Sequence, residues 1–161
     1  MSKSYKYIIV FSSISLFLFI AMTSNAFGLL NGSNFNSNMM LDKKFYYTSF
    51  EMNNLISSLN SEMIKTYFSL HLIDYLFILF FYPTLGLLMF NVSNKRIKIL
   101  LIPLLAMVFD IIENIFIDFS LYHGLSKIVM SLTGFITLLK FSCIFISIIL
   151  IIYYIIKKIL K

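Results

Sequence analysis

Long apolar runs alternate with short polar breaks along this chain. A helix advances about 1.5 Å per residue, so about 20 apolar residues cross a hydrocarbon core of about 30 Å. Four stretches reach that length, at about 7–30, 68–90, 97–121 and 128–156. The pattern predicts an all-α polytopic membrane protein, a four-transmembrane-helix bundle forming a single membrane domain over 1–161. The breaks differ in kind. Residues 31–66 form a polar linker rich in Asn and Ser, whereas "NVSNKRIK" at 91–98 and "SLYHGLSK" at 120–127 read as short turns.

The linker carries a signal of its own. Thr48 and Glu51 have the spacing of a capping box. Phe50, Leu55, Ile56, Leu59 and Met63 follow at roughly helical spacing. This predicts a short amphipathic segment, of one helix or two, on the outer face between the first and second spans. An "NGS" sequon stands at 31–33.

Composition supports the membrane reading. The chain is 60% apolar and 12% charged, against about 25% charged residues in soluble domains. The single cysteine, Cys143, lies in an apolar run and reads as a small buried hydrophobe. The net charge of +6 is distributed by side. Lys3, Lys6, Lys95, Arg96, Lys98, Lys157, Lys158 and Lys161 fall at one end of the spans. Lys43, Lys44, Lys65 and Lys127 fall at the other, where Asp42, Glu51 and Glu62 offset the first three. Positive residues collect on the cytoplasmic side, so both termini and the 91–98 turn are expected in the cytoplasm of a cell bounded by a plasma (inner) membrane. No basic stripe with interleaved aromatics is present, which argues against a nucleic-acid partner. The start of the chain also has a signal-peptide outline, with "SNA" at 24–26 as a small-x-small site. Its apolar run is at the long end for a signal peptide, and a retained first helix is expected.

The polar residues inside the spans are the candidates for chemistry. Of seven acidic residues, Asp74, Asp110, Glu113 and Asp118 fall in predicted spans. A charge at mid-membrane costs about 2.5–3.5 kcal/mol on the insertion scale, so such residues usually face a bundle interior. At about 100° per residue, His71, Asp74, Tyr75 and Tyr82 share one face of the second span. Asp110, Glu113, Asn114 and Asp118 share one face of the third. Thr133, Thr137, Lys140 and Ser147 share one face of the fourth. The three stripes are expected to meet in the outer half of the bilayer, with Asp110 and Lys140 near its middle.

Asp74, Asp110, Glu113 and Lys140 are the candidate catalytic or binding groups, with His71, Tyr75, Tyr82, Asn114, Thr133 and Thr137 lining an outward-facing pocket made by the last three spans. Three carboxylates against one ammonium leave an excess of two negative charges. Either a carboxyl carries a proton or a cation joins the cluster. His71 alternatively reads as an interfacial ring reaching toward water, and Asp118 as a helix-end cap near water. Pro83 and Pro103 are expected to bend the second and third spans and open space between them. His71, Asp74 and Glu113 are ligand types without metal-ligand spacing, so neither metal nor cofactor is expected.

The spaced polar residues resemble a widespread family of bacterial four-helix membrane proteins without an assigned activity. Its pattern is a tyrosine before a D-x-x-F…Y helix, then a P…D-x-x-E-N helix, then a T-x-x-K helix. This chain has Tyr67, "HLIDYLFILFFY" with Asp74, Phe77 and Tyr82, "PLLAMVFDIIEN" with Pro103, Asp110, Glu113 and Asn114, and "TLLK" with Thr137 and Lys140. The likeness covers about 40–145. Family members often place a Gly-Arg pair before the tyrosine, where this chain reads "SEMIKTYF". A looser likeness is to four-helix sterol-isomerase-like membrane proteins, which also place acids between helices. The resemblance implies the architecture and the site and names no reaction.

Three function classes follow. One is a pocket that binds or acts on a lipid-like or small amphipathic molecule, with Asp74 or Glu113 as acid or base and Lys140 as charge partner. A second is a proton- or cation-coupled transport component. A third is a structural or accessory subunit locked by its polar cluster. Beyond the lipid bilayer and such a ligand, no feature identifies a partner.

Overall fold

A computed structural model describes residues 3–24, 40–124 and 126–160. Five α-helices are present among them: α1 (Lys3–Thr23), α2 (Ser49–Ser58), α3 (Ser61–Val92), α4 (Leu101–His123) and α5 (Lys127–Ile159), with 3-10 turns at Leu41–Lys43 and Ile97–Leu100. No β-strand occurs among the described residues. Four helical stretches are long and apolar enough to cross a membrane, at Tyr5–Thr23, Ser61–Val92, Ile97–His123 and Lys127–Ile159. This is the build of an integral membrane protein. Phe17, Leu72, Leu79 and Ile149 are exposed on the outside of the bundle, where lipid rather than water would cover them.

α1 is described as a helix to Thr23, with residues 25–30 of its expected span lying outside the described residues, and α3 begins at Ser61, ahead of its apolar run. The 32 residues of α3 extend about 48 Å, so its first turns rise beyond a hydrocarbon core. Asn60 starts α3 there, its side chain accepting from the Met63 N–H at 2.8 Å. The "NGS" sequon lies outside the described residues.

The expected linker helix is α2. Thr48 caps it, and the capping box is complete: the Thr48 hydroxyl accepts from the Glu51 N–H and the Glu51 carboxylate accepts from the Thr48 N–H. Its inner face differs from the expected one. Leu55 and Leu59 are buried as expected, but Phe50 is exposed and Met52 is buried instead. Together with Met40, Leu41 and Tyr47 these three buried residues form a core with Tyr67 and Leu70 of α3, Ile117 and Leu121 of α4, and Met130 of α5. Residues 40–59 thus make a packed lid over one end of α3–α5. The Tyr67 hydroxyl accepts from the Leu41 N–H at 3.1 Å, which ties the lid to α3. Gly134 gives it a seat on α5: a Cβ there would collide with the Tyr47 carbonyl.

Contacts across elements fix which ends meet. Phe68 of α3 meets Tyr122 of α4 with ring centroids 6.0 Å apart, and the Lys43 ammonium donates to the Met22 carbonyl at 3.3 Å. The lid, the end of α1, the start of α3 and the end of α4 therefore share one end of the bundle. At the opposite end Arg96 donates to the Tyr154 hydroxyl at 3.4 Å. α4 packs most extensively on α5, α3 packs on both, and α1 makes its substantial contact with α3 rather than α5.

Gly134→Ala is expected to destabilise the fold by about 1–3 kcal/mol through overpacking, read as a lower unfolding temperature than for Ser131→Ala at an exposed site on the same helix. The Thr48 N–H above all, then Lys44 and the Thr48 hydroxyl, hold the Glu51 carboxyl below its ordinary value of 4.5. The contribution of Glu51 to α2 is then present above about pH 4.5 and lost as pH falls through the lowered value. Amide exchange across 49–58 is expected to speed up on that acidification in the wild type, and to lose this pH dependence in Glu51→Gln.

Candidate functional site

The α4 segment "DIIEN" places Asp110, Glu113 and Asn114 on one face at i, i+3 and i+4, and all three are buried. Lys140 of α5 reaches between the first two. Its ammonium lies 3.0 Å from Asp110 Oδ1 and 2.5 Å from Glu113 Oε2, and 5.0 Å from the Phe141 ring centroid. The remaining carboxylate oxygens are also served. Asp110 Oδ2 accepts from the Tyr82 hydroxyl at 2.7 Å. Glu113 Oε1 accepts from Thr137 at 2.6 Å and from Tyr47 at 3.4 Å. Asp74 Oδ2 accepts a short hydrogen bond from the Asn114 amide. α3, α4, α5 and the lid are thereby joined in one buried network.

A second polar group lies nearer the lid. His71 Nδ1 is 2.6 Å from Asp118 Oδ1, and the Tyr75 hydroxyl donates to Asp118 Oδ2 at 3.3 Å. The Tyr67 ring meets His71 edge-on at 4.7 Å. His71 is fully buried, so it is not a ring reaching for water, and Asp118 is its partner rather than a cap exposed to water. The physical reason is the lid, which extends the interior past the expected membrane boundary.

A cavity of about 580 Å³ lies between α1 and the other spanning helices. Asp74, Tyr82, Asp110 and Lys140 give it a polar floor, while Leu16, Phe19, Phe77, Phe81, Phe141 and Ile144 make apolar walls. Ser12, Ser15 and Met22 of α1, and Lys43 of the lid, complete it. Ser12 and Ser15 donate back to the Ile8 and Phe11 carbonyls at 2.5 and 2.8 Å, so their hydroxyls are satisfied within the helix.

This geometry revises the expected pocket in two respects. It is not a pocket of the last three spans alone, since α1 supplies a wall. Of the residues expected to line it, Tyr82 is on the surface of this cavity. His71, Tyr75, Asn114, Thr133 and Thr137 are not: Asn114 and Thr137 donate to Asp74 and Glu113, and His71 and Tyr75 engage Asp118. Thr133 turns back on its own helix, donating to the Val129 carbonyl at 2.8 Å. Tyr47, Lys43 and Ser15 were not among the expected residues. Tyr47 stands one position before the capping Thr48, a place that sets its backbone and says nothing of its reach to Glu113.

No grouping of three or more His, Cys, Asp or Glu side chains suited to a metal ion occurs among the described residues. Comparison of the chain with protein-family models, with curated proteins and with solved structures finds no match.

Removing Lys140 leaves Asp110 and Glu113 facing each other without their cation. Lys140→Met is expected to lose about 3–5 kcal/mol of stability. The triple variant Lys140→Met, Asp110→Asn, Glu113→Gln is expected to recover most of it. Unfolding of the detergent-solubilised proteins checks both.

Proposed function

We propose that this protein binds a lipid-like or small amphipathic molecule in the cavity between α1 and α5. The single observation that carries this reading is a charged floor beneath phenylalanine-rich walls. Asp74, Asp110 and Lys140 lie at the base of a space whose apolar walls include Leu16, Phe19, Phe77, Phe81, Phe141 and Ile144. Ligand sites are mostly apolar concavities with a few convergent polar groups. An amphiphile would set its polar head against Asp74 and Asp110 and its tail along the phenylalanines. α1 packs on α3 and only sparsely on α5, which supports entry from the bilayer rather than through the lid. If the bound molecule is also transformed, Asp74 is the carboxylate placed to move a proton at its head, with Lys140 stabilising charge beside Asp110.

The family resemblance carried by Asp74, Phe77 and Tyr82, by Asp110, Glu113 and Asn114, and by Thr137 and Lys140 supports the same site. The distribution of Lys and Arg supports a plasma-membrane protein with both termini in the cytoplasm. The reading rests on a retained α1, whose side chains form a wall of the cavity. A transport role draws less support, since the residues that follow Tyr82 toward the 91–98 turn along the α3–α4 groove are apolar: Pro83, Gly86, Leu87, Phe90, Pro103 and Met107.

Native mass spectrometry with lipid analysis of the protein purified in mild detergent tests the reading. A small amphiphile is expected to copurify with wild type and to be lost from a still-folded Asp74→Asn. Absence of any bound amphiphile from wild type, with Asp74→Asn unfolding at lower temperature, would assign the cluster to helix locking.

A further inference from the structure

A second concavity lies on the other side of Tyr82. It is an apolar groove of about 470 Å³ between α3 and the start of α4, walled by Pro83, Gly86, Phe90, Leu100, Pro103 and Met107. Its origin is local. Gly86 has no side chain on the surface facing α4, and a Cβ there would stand 3.6 Å from Leu100 and 3.9 Å from Pro103. That is ordinary contact, so an alanine fits there without strain, whereas a longer side chain would enter the groove. A glycine within a helix costs about 0.5–1 kcal/mol relative to alanine, and this one leaves its part of the groove wall without a side chain. Leu104, at the open side of the groove, is half exposed.

The end of the groove is charged. Phe90 and Leu100 line it, and the chain between them is the turn that carries Lys95, Arg96 and Lys98, all exposed. The turn is specifically shaped. Asn94 and Lys95 have φ of 58° and 63°, and the Lys95 N–H donates to the Phe90 carbonyl at 2.9 Å. This is a Schellman closure of α3. A lysine at positive φ is uncommon, and here that backbone turns a cation out directly beside the groove. Arg96 is steadied by its hydrogen bond to Tyr154. Lys98 belongs to the same 3-10 turn as the groove residue Leu100.

We propose that the groove is a binding site for one anionic phospholipid of the leaflet next to the 91–98 turn. One acyl chain lies along Gly86, Pro103 and Met107, and the headgroup phosphate meets Lys95, Arg96 and Lys98. The groove is apolar and open beside the half-exposed Leu104, which suits a chain and not a polar molecule. The basic turn at its end selects anionic over zwitterionic headgroups, since basic residues near a charged leaflet each favour it by a few-fold. This site stands apart from the amphiphile cavity, because the Tyr82 ring borders both and its hydroxyl is held by Asp110.

The test uses the full chain in mild detergent, titrated with phosphatidylglycerol or phosphatidylcholine and read by native mass spectrometry. Wild type is expected to retain phosphatidylglycerol in preference to phosphatidylcholine. Replacing Lys95, Arg96 and Lys98 by Gln is expected to weaken that retention on the order of a hundredfold. Gly86→Leu, which fills the groove, is expected to abolish tight retention, and Gly86→Ala to preserve it. Unchanged retention in Gly86→Leu would overturn the site and leave only surface charge. Because Gly86→Leu could perturb packing, wild type is also photocrosslinked with phosphatidylglycerol carrying a diazirine on its chain. Crosslinks confined to 83–90 and 100–107 support the site, and labels spread around α1 and the outer face of α5 overturn it.

Discussion

Lys140 is held between Asp110 and Glu113 with almost no solvent exposure, and the rest of the bundle is arranged around that contact. Each charge would cost about 2.5–3.5 kcal/mol to insert singly. Their joint burial is tolerable only because each is met by the others and by further donors. α4 supplies both carboxylates one helical turn apart, α5 the ammonium, α3 the Tyr82 hydroxyl, and the lid the Tyr47 hydroxyl. Displacing any one of these elements would leave a charged group short of a partner in a low-dielectric interior. Interhelical hydrogen bonds in membranes contribute only about 0.6–2 kcal/mol. The network therefore sets which faces meet more than it adds stability.

Much of this was legible in the chain because helices in lipid leave few choices. Backbone groups must be satisfied internally, so length and apolar content identify spans. A polar residue in such a span must then look inward, so Asp74, Asp110, Glu113 and Lys140 could be assigned to facing stripes by periodicity. The lid was only half legible. Thr48 and Glu51 announced the start of α2, since a capping box is written in four consecutive residues. Its inner face went to Met52 rather than Phe50, because that choice depends on what α3 and α5 present across the contact. The pairing of His71 with Asp118 was hidden for the same reason: only a packed lid makes that level of the bundle an interior.

The contribution of α1 was the least legible. Between Tyr7 and Thr23 its sequence is apolar on every side, broken by Ser12, Ser13, Ser15 and Thr23, of which Ser12, Ser15 and Thr23 bond to their own helix. Periodicity therefore carried no direction. Packing supplies it: α1 lies on α3 and leaves α5 uncovered along part of its length. The consequence is a bundle built of two close helix pairs, α4 with α5 and α1 with α3, in which α1 stands away from α5. The space that results borders the charged network instead of being filled by it. This asymmetry separates a site that could hold a ligand from a clasp that could only hold helices.

Tyr82 marks where the two halves of the molecule divide. Toward the lid, the helices turn carboxylates, a lysine and hydroxyls to the interior, and their contacts are specified by hydrogen bonds. Toward the 91–98 turn, the facing residues are Pro83, Gly86, Leu87, Leu100, Pro103 and Leu104, and their contact is a groove. Pro83 removes a helical N–H one residue after Tyr82, and the Thr84 hydroxyl donates to the Phe80 carbonyl at 2.7 Å beside that break. The helix is thus loosened just where its role changes. A phenylalanine at position 82 would fill the same space yet leave Asp110 Oδ2 without its donor, at a cost of about 1–3 kcal/mol for a buried acceptor, more for a charged one. The tyrosine is required by the charged side and tolerated by the apolar side. One residue can therefore close the polar site from below and form the head of the groove at the same time.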